Sequence, residues 1–247
     1  MRQCVAMLLS GGTGSRLGAE IPKQYIRTGG RMMITRSLYA LFQCARIERV
    51  QIAADAVWHE QIREDWEQFC AETMGNADTA GRGRRWIDGF SAPGENRQLS
   101  ILHGLEDIAE RYGGDSIVLI HDAARPLVSA AMLENCIAAC DMHDGAMPVL
   151  PMKDTVYYSD NGRTVTQLLE RERIFAGQAP EAFVLGKYLT ANRALLPERI
   201  LAIKGSTEPA ILAGMDIAMI PGEEGNFKVT TPADLERYEQ IIGEREG

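Results

Sequence analysis

"MLLSGGTGSRLGAEIPKQY", Met7 to Tyr25, is the stretch on which the rest of the chain turns. The apolar run Cys4–Leu9 is short enough for a buried strand, and Gly11, Gly12 and Gly14 cut it off before Arg16 and Lys23 appear. Glycines let the backbone bend sharply and bring bare N–H groups against an anion, while an arginine and a lysine supply fixed positive charge. The stretch therefore reads as a phosphate-binding loop, Ser10, Gly11, Gly12, Thr13, Gly14 and Ser15, leading out of a strand. Two familiar glycine motifs are excluded. A Walker loop closes with Gly-Lys-Ser/Thr, and here Ser15 and Arg16 follow Gly14; a GxGxxG fingerprint counted from Gly12 and Gly14 meets Leu17 where its third glycine belongs. A bare strand-to-helix turn is the plainer reading, but such a turn does not need three glycines and two basic residues separated by Pro22.

The 247 residues, 45% of them hydrophobic, suffice for one sizeable core, so a single α/β domain over 1–247 is expected. A formal charge of -8 argues against nucleic-acid or anionic-membrane surfaces, which leaves clustered basic residues as local tools for a small anion. Cys4, Cys44, Cys70, Cys136 and Cys140 are odd in number and form no CxxC pair, as expected of reduced thiols in the cytoplasm. The first apolar run is far below the length of a membrane span and carries no signal-peptide cleavage pattern, so no membrane association is expected.

Further along, Ile34, Leu38, Leu41, Phe42 and Ala45 recur at helical spacing, "RVQIAAD" gives a second strand, and 59–74 reads as a helix. Residues 75–89 read as irregular, with Arg82, Arg84 and Arg85 on a solvated loop. "APGENRQLSILHGLEDIAERYG" holds a glycine-led turn, Gly94, Glu95, Arg97 and Ser100, at the start of a helix running from Arg97 to about Tyr112; an ordinary capped helix has much the same letters. In "SIVLIHDAARPLVS", Ile117–Ile120 form a strand of the kind buried on both faces. His121, Asp122 and Arg125 lie past its carboxyl end, where open α/β sheets bind ligands. His121 reads as a hydrogen-bonded structural histidine, Asp122 and Arg125 as functional. "DTVYYS" and "TVTQLL" flank "DNG", a hairpin signal for an arm over about 152–173. Thr231, Pro232 and Asp234 mark the start of the last helix, just after Lys228 on "NFKVT". Taken alone, Lys228 is equally readable as an edge-strand lysine that blocks aggregation.

In this order the motifs resemble the cytidylyltransferases that act on polyol phosphates, the methylerythritol phosphate and ribitol phosphate enzymes of the sugar nucleotidyltransferase group. The resemblance implies a Rossmann-like, three-layer α/β domain with a mostly parallel central sheet and a projecting β-hairpin arm. It implies a glycine loop around the CTP triphosphate, with Arg16, Lys23 and Lys228 stabilising the transferred phosphate. Gly94, Glu95, Arg97 and Ser100 match the turn that contacts the cytidine, and Asp122 and Arg125 match the residues that hold the acceptor and organise the metal-bound nucleotide. Thr155 and Arg171 match arm residues that reach the acceptor phosphate of a partner subunit, so a homodimer with arm exchange is implied; Arg173, two residues on, fits the second position equally well. Mg²⁺ is the expected cofactor, bridging nucleotide phosphates, and Asp122 is the one candidate protein ligand to stand out.

The chemistry agrees with what the chain lacks. A phosphate monoester is largely a dianion near neutral pH, its second pKa being roughly 6, and as a nucleophile needs no general base. No hydrolase-type His and Asp pair or nucleophilic-serine signature is present, yet several basic residues stand in phosphate-handling motifs. The expected reaction joins CMP to a polyol phosphate and releases pyrophosphate, with methylerythritol 4-phosphate as the leading acceptor and ribitol 5-phosphate, or another polyol or sugar phosphate, as the alternative. Two acceptor-side stretches depart from the family's letters. Its "QTPQ" is Gln178, Ala179, Pro180, Glu181 here, and its Thr-Asp falls on Lys204 and Gly205 or, after a small shift, on Thr207 and Glu208. A nucleotide-linked oxidoreductase predicts no use for Lys23 or Lys228, and a silent nucleotide-binding protein predicts loss of the charged set, which is intact here.

Overall fold

In the computed structural model, which describes residues 2–12, 21–73, 83 and 86–246, the first apolar run is β1 (Cys4–Leu9), buried along nearly its whole length. Beyond a 3-10 turn at Lys23–Tyr25 come the short ribbon β2 (Arg27–Thr28) and β3 (Arg31–Met32), then α1 (Met33–Phe42) and β4 (Ile47–Ala53). Helix α2 (His59–Thr73) precedes β5 (Ile87–Ser91), α3 (Arg97–Ala109) precedes β6 (Ile117–Asp122), and α4 (Ala130–Ala139) precedes β7 (Gly145–Pro151). β8 (Val156–Tyr158) and β9 (Gln167–Leu169) pair only with each other. The chain re-enters the sheet as β10 (Phe175–Gly177) and β11 (Glu181–Val184) and ends through α5 (Leu185–Arg193), α6 (Glu208–Leu212), β12 (Ile217–Pro221) and α7 (Pro232–Glu246).

The central sheet has eight strands. β1 pairs in parallel with β4 on one side and β6 on the other, and β4 pairs in parallel with β5. β11 runs antiparallel between β6 and β7, β10 continues along the same edge of β7, and β12 closes the far edge in parallel with β7. The sheet is thus mixed, with β10 and β11 reversed against the other six strands. One face packs on α1, α2 and α4 through Leu38, Trp66 and Leu133; the other packs on α3 and α5 through Leu105 and Tyr188. This is the expected three-layer α/β arrangement. The chain leaves β1 for β4 and β5, then crosses back to β6 on β1's other side, so the ligand crevice of an open α/β sheet opens beyond Leu9 and Asp122.

Three expectations are corrected. The stretch read as irregular over 75–89 contributes β5 from Ile87 onward, paired in parallel with β4. β6 does not stop at Ile120 but carries His121 and Asp122 within the strand. The hairpin is real but is not closed by a tight turn: residues 159–166 form a longer loop in which Asn161 Oδ1 accepts from the N–H groups of Arg163 and Thr164, at 2.8 and 3.0 Å. Arg82, Arg84 and Arg85 lie outside the described residues.

Candidate active site

A cleft of about 390 Å³ lies beyond the carboxyl ends of β1, β5 and β6, lined by Gly11, Gly12, Lys23, Gly94, Glu95, Arg97, Ser100, Asp122 and Lys228 among others. Segments far apart in the chain meet there because their backbones come unusually close. A Cβ on Gly11 would stand 2.8 Å from the Cβ of Pro93, and one on Gly94 would stand 2.3 Å from the Cβ of Leu99. Only glycine permits both approaches. The Gly94 turn is then fastened by Ser100, whose Oγ accepts from the Gly94 N–H at 2.9 Å and donates to the Asn96 carbonyl at 3.0 Å. Asn96 caps α3, its Oδ1 accepting from the Leu99 N–H at 2.8 Å, so the positive end of a 13-residue helix faces the cleft. A helix start with its free N–H groups is a natural seat for an anion.

The first loop is held from below. Gln24 Nε2 donates to the carbonyls of Ser10 and Gly12 at 2.7 and 2.8 Å, and the Ser10 hydroxyl donates to the Tyr25 hydroxyl at 2.9 Å. Ser10 is therefore buried support for the loop rather than part of the cleft wall. Thr13, Gly14, Ser15 and Arg16 lie outside the described residues.

Charge is concentrated at Asp122. Its Oδ1 accepts from Arg97 Nη2 at 3.1 Å and its Oδ2 from Lys228 Nζ at 2.9 Å, with Arg125 Nε 3.7 Å from Oδ2. Burial alone would raise the Asp122 pKa, but Arg97, Lys228 and Arg125 hold the carboxyl far below the usual range. His121, on the opposite face of the strand, is the structural histidine its setting suggested. Burial brings its pKa down to about 4, its Nε2–H donates to the Arg125 carbonyl at 3.0 Å, and Nδ1 is buried with no partner among the described residues. Arg125 does not line the cleft; its Nη1 donates to the Asn226 carbonyl at 2.6 Å, bracing the segment that delivers Lys228.

The arm residues stand apart from this cleft. Thr155 and Arg171 share a separate surface hollow of about 300 Å³ at the base of β8 and β9, where Arg171 Nη1 donates to the Lys153 carbonyl at 3.1 Å. Arg173 is not among its lining residues and pairs with Glu170 at 3.3 Å. Tyr157, Leu168 and Val165 are exposed along the arm.

Several residues went unread in the sequence. Gln24, Asn96 and Thr230 line the cleft, and Asn226 is wholly buried, its Nδ2 donating to the Ala179 carbonyl at 2.7 Å. Gln178 fastens the same segment, donating to the Glu223 carbonyl at 2.9 Å and accepting from the Glu223 N–H at 3.0 Å. Asn96 was legible as a capping residue before an apolar helix, and Thr230 bonds Asp234 only four positions on; Gln24, Asn226 and Gln178 act through contacts more than forty positions away or through a carbonyl, which no local pattern reveals.

The family model for 2-C-methyl-D-erythritol 4-phosphate cytidylyltransferase matches residues 4–244. The chain is 34% identical over 250 residues to the protein of that name from Rubrobacter xylanophilus, covering 100% of this chain and 97% of that one. It is also 34% identical over 240 residues to the bifunctional enzyme IspD/IspF of Granulibacter bethesdensis, covering 96% of this chain and 56% of that longer protein. Among solved structures, 4-diphosphocytidyl-2C-methyl-D-erythritol synthase from Anaerococcus prevotii superposes with a TM-score of 0.77 at 19% identity, over 98% of this chain and 96% of that one, a likeness of fold.

Proposed function

The chain belongs to the 2-C-methyl-D-erythritol 4-phosphate cytidylyltransferase family, and from that premise we propose how its cleft carries out the transfer. The enzyme is a cytidylyltransferase of isoprenoid precursor synthesis, joining CMP from CTP to 2-C-methyl-D-erythritol 4-phosphate with release of pyrophosphate. The family match favours this acceptor over ribitol 5-phosphate.

The observation that carries the mechanism is the Arg97–Asp122–Lys228 cluster set opposite Lys23 and two glycine-built turns. The triphosphate lies along Gly11 and Gly12 and the start of α3, and the base lies toward Gly94, Glu95 and Ser100. The acceptor phosphate, already a dianion, attacks the α-phosphorus in line. One P–O bond forms, the bond to the β-phosphate breaks, pyrophosphate departs, and no proton changes hands. Lys23, Lys228 and Arg16 hold the charge that develops on the transferred and leaving oxygens. Arg125 acts from behind, by holding Asp122 and the Asn226 carbonyl in place.

A divalent cation, Mg²⁺ by expectation, neutralises nucleotide phosphate charge when bound. Each Asp122 oxygen keeps a lone pair beyond its bond from Arg97 or Lys228, so Asp122 would hold the ion directly or through a water. Among the described residues no three His, Cys, Asp or Glu converge on a metal site. Few further protein ligands would be needed, because the ion would travel with the nucleotide phosphates and keep most of its waters.

The exposed apolar arm, with Thr155 and Arg171 at its base, supports a homodimer in which each arm completes the partner's acceptor site. No helix among the described residues is long and apolar enough to cross a membrane, and five buried thiols outside any disulfide suit a cytoplasmic protein. The test is pyrophosphate release from CTP and Mg²⁺ in parallel with methylerythritol 4-phosphate and ribitol 5-phosphate. Release with the first is expected. Release with the second alone replaces the acceptor, and release with neither overturns the reading.

A further inference from the structure

Glu181 is a buried carboxylate that the transfer just described does not use. It opens β11 opposite Ile120 of β6, two residues before Asp122, so Glu181, Ile120 and Asp122 project from one face of the sheet. Diagonal neighbours of this kind lie roughly 7–8 Å apart. The face is the one covered by α3 and α5, and Arg97, the first residue of α3, lies within electrostatic reach of both carboxylates. Two hydroxyls close on Glu181 from the loop before α6: Thr207 Oγ1 donates to Oε1 at 2.9 Å and Ser206 Oγ donates to Oε2. The loop is itself anchored, the Tyr188 hydroxyl donating to the Ser206 carbonyl at 2.5 Å. The two stretches in which this chain departs from the family's letters therefore meet in a single contact.

A carboxylate here is costly. A glutamine would fill the same space and could still bond both hydroxyls, without placing a second negative charge in the interior. Its charge does have a use in the cluster. Arg97, Arg125 and Lys228 are three cations, and among the described residues Asp122 is the one carboxylate paired with all of them. Resting on the reading under Proposed function, we propose that Glu181 is a positioning residue for cytidylyl transfer: held as a carboxylate by Ser206 and Thr207, it fixes Arg97 beside Asp122, so that Asp122 keeps a cation when Lys228 turns to the nucleotide phosphates.

The pH dependence isolates this role. The charged and titratable groups facing Glu181 are Arg97 from α3, Asp122 from β6, Arg125 from the turn after it, Tyr188 from α5 and Cys136 from α4. Burial pushes Tyr188 and Cys136 far up, and the cations hold Asp122 far down. Burial raises Glu181 above the ordinary carboxylate value, with Arg97 and the two hydroxyls opposing, so as pH falls Glu181 takes up a proton before Asp122 does.

The experiment is the kcat–pH profile for pyrophosphate release by wild type, Glu181→Gln and the double variant Ser206→Ala, Thr207→Val. Titration of the acceptor phosphate, common to all three, cancels in the comparison. Glu181→Gln is expected to lower kcat about tenfold, the scale of a misplaced positioning group, and to lose the acid limb that Glu181 imposes. The double variant, keeping the carboxylate but losing both donors, is expected to move that limb to higher pH. Because a raised carboxylate pKa means that ionisation costs folded-state stability as pH rises, Glu181→Gln is expected to keep or gain thermal stability at pH 8. If the acid limbs of wild type and Glu181→Gln superimpose, the proposal is overturned, whatever the value of kcat. A wild type that releases no pyrophosphate with any acceptor overturns the functional reading instead.

Discussion

At the scale of residues, the site is an economy of charge around Asp122. Removing its carboxylate leaves Arg97, Arg125 and Lys228 facing one another with Glu181 the nearby carboxylate left among the described residues, and breaking a buried ion cluster in this way typically costs about 3 kcal/mol or more. Asp122→Asn is therefore expected to lower thermal stability markedly at neutral pH. The sign of its pH dependence follows from the depressed pKa. The Asp122 contribution is complete above the unfolded carboxylate value of about 4 and is lost as pH falls through its lower folded value. Melting curves of the two proteins should thus differ most at neutral pH and converge in strong acid. Asp122 and Lys228 were legible in the sequence, the first because it follows a doubly buried strand, the second through resemblance alone. Glu181 was not. It sits one position past a proline in a stretch without periodicity, and its partners are 25 and 26 residues further on.

At the scale of elements, caps and close approaches decide whether the cleft keeps its shape. Gly94→Ala drives a methyl group into the Leu99 backbone and Cβ, so the turn proposed to frame the base must open. Its expected signature is a raised KM for CTP with a smaller change in kcat. Helix α7 begins as its letters suggested. Asp234 accepts from the N–H and hydroxyl groups of Thr230 and Thr231 at 2.8–2.9 Å, and these bonds, against the opposing effect of partial burial, lower its pKa to about 2. Asp234→Ala should cost about 1 kcal/mol in urea unfolding at pH 7. That difference should shrink as pH falls from about 4 towards 2, since a depressed carboxylate pKa stabilises only where the group is ionised. The strands and helices read in advance were those with strong periodicity or glycine punctuation. β7 was not among them, because Pro148 and Pro151 argue against a strand, yet the Pro148 carbonyl accepts from the Gln178 N–H at 2.8 Å and the pairing survives. α4 was missed because "AAMLENCIAA" is apolar or small almost all round and shows no clear stripe.

At the scale of the whole molecule, the sheet brings residues from both ends of the chain to one cleft, and its two apolar layers keep the cysteines out of reach. All five are buried and in no disulfide, and burial pushes the Cys140 thiol up to about 12. A thiol reagent should label none of them in the native protein and all five after denaturation. The α/β class and the arm were legible because apolar runs alternate with amphipathic helices and because two β-rich runs flank Asp160-Asn161-Gly162. The reversed β10–β11 edge was not, since strand direction is fixed by tertiary pairing. On the proposed mechanism, Lys228, delivered to the cleft by the Asn226 segment, would serve the transferred phosphate rather than the fold. The measurement that tests it most directly is single-turnover formation of cytidylylated product from CTP and methylerythritol 4-phosphate by wild type and Lys228→Ala. The variant is expected to react about 10²–10³-fold more slowly with CTP affinity and melting temperature little changed; equal rates, or a loss explained by unfolding, would leave Lys228 a residue of the fold alone.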